Sequence, residues 1–204
     1  CEYVLRRPVK REDVSNALGS LTGFWKQCET TIDETYRAGT HVHINIRDLT
    51  VRQLVTFLTV YYIFEDLLIN YCGENRVGNH FCLRSRDAEY SLFKLETCIK
   101  DGRLDRLKGD DIRYASVNLK AIPEYGSLEF RAFRCTPDLT DIEAWVKVLL
   151  DIKDYAIKTD DPTKVLETCS IHLMKGLHKE VFTTIEHNEV FDRSCRENMR
   201  RVQS

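Results

Sequence analysis

From Leu54 to Ile69 the chain is nearly all apolar, interrupted only by Thr56, Thr59, Glu65 and Asp66. Thr50 and Gln53 stand just ahead of it in the spacing of a capping box, so the pattern predicts a helix from Thr50 to about Tyr71. Too many of its faces are apolar for a surface helix. It has to be enclosed, and a sheet is the partner the rest of the chain offers. It stops short of the roughly 20 uninterrupted apolar residues of a membrane span, and no membrane partner is expected.

The other segments supply strands and helices in mixed order. Residues 2–7 alternate and stop at Pro8, which predicts a strand, as do 41–47, 112–120 and 127–134. The last two are expected to form an antiparallel hairpin through a loop of about five residues ending at Gly126. Helical spacing is read over 10–28, 88–107 (stopped or kinked near Gly102), 140–158, 162–176 and onward to Arg200. The capping-box pattern from Thr140 to Glu143 and the Asp161-Pro162 pair mark two of the helix starts. Residues 72–87, rich in Gly, Asn and Arg, read as a long loop, which is more often functional than an equal length of helix. The fold class is α+β, with a domain over 1–157 and a helical C-terminal extension over 158–204 that packs on it.

Composition narrows the function. With 43% hydrophobic and 30% charged residues, 204 residues can build a core without staples; a chain this long buries roughly 70% of its unfolded surface. The net charge of −2 argues against nucleic acid, whose binding needs an excess of Lys and Arg. Eight cysteines without a C-x-x-C pair suggest reduced thiols and a cytoplasmic setting. Cys72, His80 and Cys82 lack a fourth ligand at zinc-finger spacing. Neither a phosphate-binding Gly-rich loop nor a nucleophile elbow is present, and no cysteine sits in an activating context.

Two stripes could carry chemistry. In a strand, residues two apart share a face, so His41, His43 and Asn45 project together while Val42, Ile44 and Ile46 face the core. Imidazoles about 7 Å apart can grip one ligand or metal cluster, or can be ordinary histidines on a solvated face. Glu129 and Arg131 likewise share a face opposite Leu128, Phe130 and Ala132. A carboxylate beside a guanidinium suits a cation and a phosphate, and equally suits a salt bridge on an exposed sheet. Arg113 falls on the Ala115 and Val117 side, Ser116 and Asn118 on the other, so Arg113 and Asn118 would need a bulge to share a site.

Taken in order, these segments resemble the carboxylate–amine ligase superfamily that includes glutamine synthetase and glutamate–cysteine ligase, and most closely the amidoligase family found in phages, bacteria and fungi. The carrying residues are Glu2 to Val4, Gly39 to Asn45 (G-T-H-V-H-I-N), the helix from Thr50, Arg113 to Asn118 (R-Y-A-S-V-N), Gly126 to Arg131 (G-S-L-E-F-R) and the helix around Trp145. The resemblance implies a curved antiparallel sheet backed by helices, a glutamine synthetase-like half-barrel holding ATP and Mg²⁺ (or Mn²⁺) on its concave face. It implies His41, Glu129 and Glu2 as metal ligands, and His43, Asn45 and Arg131 at the nucleotide. Arg131 and Arg113 would neutralise the transferred phosphoryl group or a substrate carboxylate. The implied reaction joins a small-molecule or peptide carboxylate to an amine through an acyl phosphate.

The family's first strand carries a Glu-x-Glu pair that has no counterpart ahead of Glu2, and the chain opens at Cys1 without an initiator Met. The expectation is that it begins partway into a longer domain, lacking its first strands. Two other readings stand beside the ligase. One is a non-catalytic descendant of the fold, such as a phage-particle component located in the virion or host cytoplasm. The other is a metal-dependent hydrolase using the His41 and His43 stripe.

Overall fold

The computed structural model describes residues 3–27, 33, 35–109, 114–168 and 174–203. Glu2, Arg113 and the start of the expected strand at 112 lie outside the described residues. The fold is α+β, with helices backing an open antiparallel sheet.

The sheet comprises β1 (Gly39–Asn45), β2 (Val117–Asn118) and β3 (Ser127–Arg134) in the order β1-β3-β2, with β3 central. Alternation sorts its faces. Val42 and Ile44 of β1, Leu128, Phe130 and Ala132 of β3, and Val117 of β2 are buried. They meet α2 (Val51–Ile63), whose Phe57 stacks on Phe130 at 5.7 Å. The capping box forms: Thr50 Oγ1 accepts from Gln53 N at 3.1 Å, and Gln53 Oε1 accepts from Thr50 N at 3.0 Å.

The long apolar helix is not continuous. It breaks at Phe64, and α3 (Glu65–Cys72) leaves at 68° to α2. The bend places Phe64 edge-on against Phe182 at 5.2 Å, and brings Glu65 to Ser85 and Ser116. No helix among the described residues is long and apolar enough to cross a membrane.

Around this centre lie α1 (Val14–Gln27), α4 (Glu89–Lys100), α5 (Ala121–Tyr125), α6 (Leu139–Thr159), α7 (Pro162–Thr168), α8 (Met174–Val181) and α9 (Asp192–Gln203). Trp145 of α6 stacks on Phe133 at 5.7 Å, closing the core at that end of β3. Helices α7 and α9 pack on α2, and α8 on α6.

Several local expectations are corrected. Residues 3–7 form no strand; Tyr3 instead packs edge-on against Phe24 and Trp25 of α1, each at 5.9 Å. The hairpin loop before β3 is a helical turn, α5, ended by Gly126 in the left-handed conformation at φ +67°. The strand paired with β3 on that side is two residues long, and Leu83 bridges to Ala115 in parallel beside it. Helix α6 is capped by Asp138, which accepts from Thr140 N at 2.9 Å, so Thr140 lies inside the helix. Helix α8 runs through Gly176. The arginines of 72–87 turn inward: Arg84 and Arg86 both bond Asp66, at 2.9 and 3.0 Å, and the loop serves as a brace.

Candidate functional site

The polar stripes of β1 and β3 meet side by side. In the antiparallel register His43 pairs with Glu129 and Asn45 with Ser127, while on the other side of β3 Asn118 pairs with Glu129. One row therefore crosses the sheet as His43, Glu129, Asn118. Thr40 pairs with Phe133 but Val42 with Phe130, so β3 carries one extra residue there, a bulge.

A bulge leaves ladder groups without strand partners, and here a buried guanidinium collects them. Arg76, 1% exposed, donates to the carbonyls of Arg131 and Ala132, each at 2.9 Å, and to those of Ala38 at 3.1 Å and Tyr36 at 3.3 Å. Its closeness explains Gly39, where a Cβ would lie 3.0 Å from Arg76 Nη2.

Glu129 is the hub. Its Oε1 accepts from Arg131 Nη1 at 2.8 Å and lies 3.0 Å from His41 Nδ1; its Oε2 accepts from Asn118 Nδ2 at 2.5 Å. Burial works to raise the Glu129 carboxyl, but the bonds from His41 and Asn118 and the charge of Arg131 outweigh it and hold it at about 2. The group is an anion under all ordinary conditions. His43 Nδ1 lies 3.0 Å from Ser127 Oγ, and its ring meets Tyr125 edge-on at 5.7 Å. Burial lowers its pKa, helped by His41 and Arg131 and opposed by Glu129, so it is neutral at pH 7. Arg131 spends one donor on Glu129, and its Nε is buried without a hydrogen-bond partner. A charged donor left unpaired in that way is the kind of group an oxyanion satisfies by accepting from it.

The structure thus joins His41, Glu129 and Arg131 directly and sets His43 beside them. Asn45 stands apart: its Oδ1 accepts from Arg47 N at 3.1 Å, closing a turn at the end of β1. Glu2 and Arg113 lie outside the described residues. Among the described residues no three His, Cys, Asp or Glu side chains converge to hold a metal ion. Cys72 and Cys82 are buried thiols whose pKa values burial raises, and His80 is exposed.

Two contributors, Ser127 and Tyr125, escape the sequence reading, and Asn118, which it weighed with Arg113, bonds Glu129 instead. Ser127 had a signal, since it falls two residues from Glu129 on the polar face. Tyr125 had none, because its place follows from the helical turn that replaces the expected loop.

A family model described as "Putative amidoligase enzyme" matches residues 8–153. No curated protein and no solved structure matches the chain. The matched span contains β1, β2 and β3, the bent helix behind them and most of α6, and so includes every element that builds the Glu129 cluster. On that match the chain belongs to the amidoligase enzyme family.

Proposed function

We propose that the protein is an ATP-dependent ligase that joins a carboxylate to an amine, through an acyl phosphate, on the polar face of the sheet. The observation that carries this reading is the row His43, Glu129, Asn118 with His41 and Arg131 closing on the same carboxylate. A scaffold alone has little use for so many charged groups drawn together.

A carboxylate is a poor electrophile, and phosphorylation gives it a leaving group. The acid's oxygen attacks the terminal phosphorus of ATP and ADP departs; the amine then attacks the acyl carbon, phosphate leaves and the amine proton is lost. Charge spreads over phosphoryl oxygens in the first step, so the protein's task is electrostatic stabilisation and positioning. Arg131 suits that task, with its Nε unpaired and its guanidinium held by Glu129. His43, neutral at pH 7, can donate to a phosphate oxygen without adding fixed charge.

For Mg²⁺ the donor set fits in part. The ion takes one or two carboxylates, phosphate oxygens and water, and needs no all-protein cage. Glu129 would hold it, with His41 released from its present bond as a second ligand, and the bound ion would neutralise phosphate charge. Peptide or small-molecule acids and amines are the substrate class.

The test is ADP release from ATP and Mg²⁺ by the purified protein, expected only when an acid and an amine are both supplied. No ADP with any acid–amine mixture, together with no nucleotide binding, sinks the ligase. That outcome would favour a non-catalytic member of the fold, a reading supported by one observation: both Glu129 oxygens already have partners within the protein.

A further inference from the structure

The polar face does not end at the Glu129 cluster. Beyond Asn45 and Ser127 the row continues with Ile46 N bonded to Gly126 O at 3.0 Å, and there Arg47 lies across the start of β3. Its Nη2 donates to Tyr125 O at 3.0 Å. Its aliphatic stem rests on Gly126 so closely that a Cβ at 126 would sit 2.7 Å from Arg47 Cγ and 3.0 Å from Cδ. Gly126 is thus required twice, for its left-handed φ of +67° and for the seat it gives Arg47.

Arg47 is exposed, yet it is not a loose surface arginine. Most other described arginines meet a carboxylate or, like Arg76, a set of carbonyls; Arg47 has no carboxylate partner among the described residues. One donor orients the guanidinium and the rest of its fork stays open. Beside it Tyr125 is 58% exposed, with its ring edge-on to His43. A held cation next to an exposed aromatic face matches a ligand with an oxyanion attached to an apolar or planar body.

We propose that Arg47, with Tyr125 and His43 beside it, forms a subsite for the oxyanion, carboxylate or phosphate, of a ligand lying along the sheet from the Glu129 cluster. Arg131 lies five residue steps along the strand from Gly126, or about 16 Å of extended chain. That span lets one ligand touch both arginines if elongated, or lets two ligands share the face. The choice of ligand rests on the ligase reading; the geometry does not.

Nuclear magnetic resonance titration with pyrophosphate, and separately with glutarate, tests the subsite through the Arg47 Nε–H resonance. Pyrophosphate is expected to move it saturably if a nucleotide supplies the oxyanion, glutarate if the acid substrate does, and both if the subsite takes either. Followed through the Gly126 amide resonance, which every variant keeps, Arg47→Ala weakens binding of that probe about tenfold or more, as loss of a charged hydrogen-bonding group does, while Arg47→Lys loses less. If neither probe moves the resonance, or Arg47→Ala binds as the wild type does, the subsite is refuted. ADP release is measured apart from these titrations, so the ligase reading can fail while the subsite stands, and the reverse.

Discussion

Among the described residues two glutamates are buried, and they are driven in opposite directions. Glu129, on the polar face of the sheet, is held at about 2; Glu65, in the helical layer at the bend between α2 and α3, is pushed up to about 7. Burial raises both. The difference lies in the partners. Glu129 receives a guanidinium, an imidazole and an amide, whereas Glu65 receives neutral donors only: Ser85 N at 2.8 Å, Ser85 Oγ and Ser116 Oγ. Its neighbour Asp66 adds like charge, while Arg84 and Arg86 are spent on Asp66. Hydroxyls and an amide can satisfy a buried carboxyl, but only a counter-charge keeps it ionised far below neutrality. The ionised one faces where ligands can reach; the other clamps the 83–87 segment and the approach to β2 against α3.

The comparison breaks most decisively at Glu129. Glu129→Gln keeps the shape and removes the charge that orients Arg131 and His41. ADP release should fall by at least about a hundredfold, the scale of losing one pre-set electrostatic group in an active site. Full activity in this variant would show that the charge at 129 does no chemical task.

Stability against pH sharpens the contrast. Glu65 has its folded pKa raised from 4.5 to about 7, so the folded state binds more protons than the unfolded state between those values. Its contribution is greatest below pH 4.5 and is lost as pH rises to 7, a swing of about 3 kcal/mol. Glu129 has its folded pKa lowered to about 2; its contribution is present above pH 4.5 and is lost as pH falls toward 2. Denaturant unfolding at pH 5 and pH 8 should show Glu65→Gln abolishing the loss on the alkaline side, and below pH 4.5 Glu129→Gln should abolish the loss on the acid side. Equal slopes in wild type and Glu65→Gln would show that Glu65 titrates normally.

The sequence made one of these carboxylates legible and hid the other. Glu129 announces itself by alternation, since a charged residue between Leu128 and Phe130 must share a face with Arg131. The same period-2 rule puts His41 and His43 on one face, and antiparallel pairing brings the two stripes together. Glu65 shows only as an interruption in an apolar helix. What it does depends on a bend at Phe64 and on Ser85 and Ser116, 20 and 51 positions away, which no local pattern encodes. The same limit hid Arg47 and Arg76: both glycines they rest on were visible, but a glycine's reason lies in whichever side chain arrives from elsewhere in the chain.

The smallest expected effects come from two donors placed two residues apart. Ser116 serves Glu65 and Asn118 serves Glu129, because a bend at Ser116 turns its side chain toward α3 while Asn118 stays in register on the polar face. Each single deletion removes one hydrogen bond to a carboxyl that keeps others, so each should cost only about 1 kcal/mol of stability. The functional readouts should part. In Ser116→Ala the cost appears in unfolding while ADP release stays within about twofold of wild type, as for a change remote from the reacting groups. In Asn118→Ala the Glu129 pKa rises toward its ordinary value, since one of the bonds holding it down is gone; the group stays ionised at pH 7, but its Oε2 loses the bond that fixes it, and ADP release falls through lost positioning. Equal losses of activity in the two variants would mean that β2 moves as a unit, and that the clamp at Glu65 is coupled to the polar face through Ser116 O, which accepts from Arg131 N at 2.9 Å.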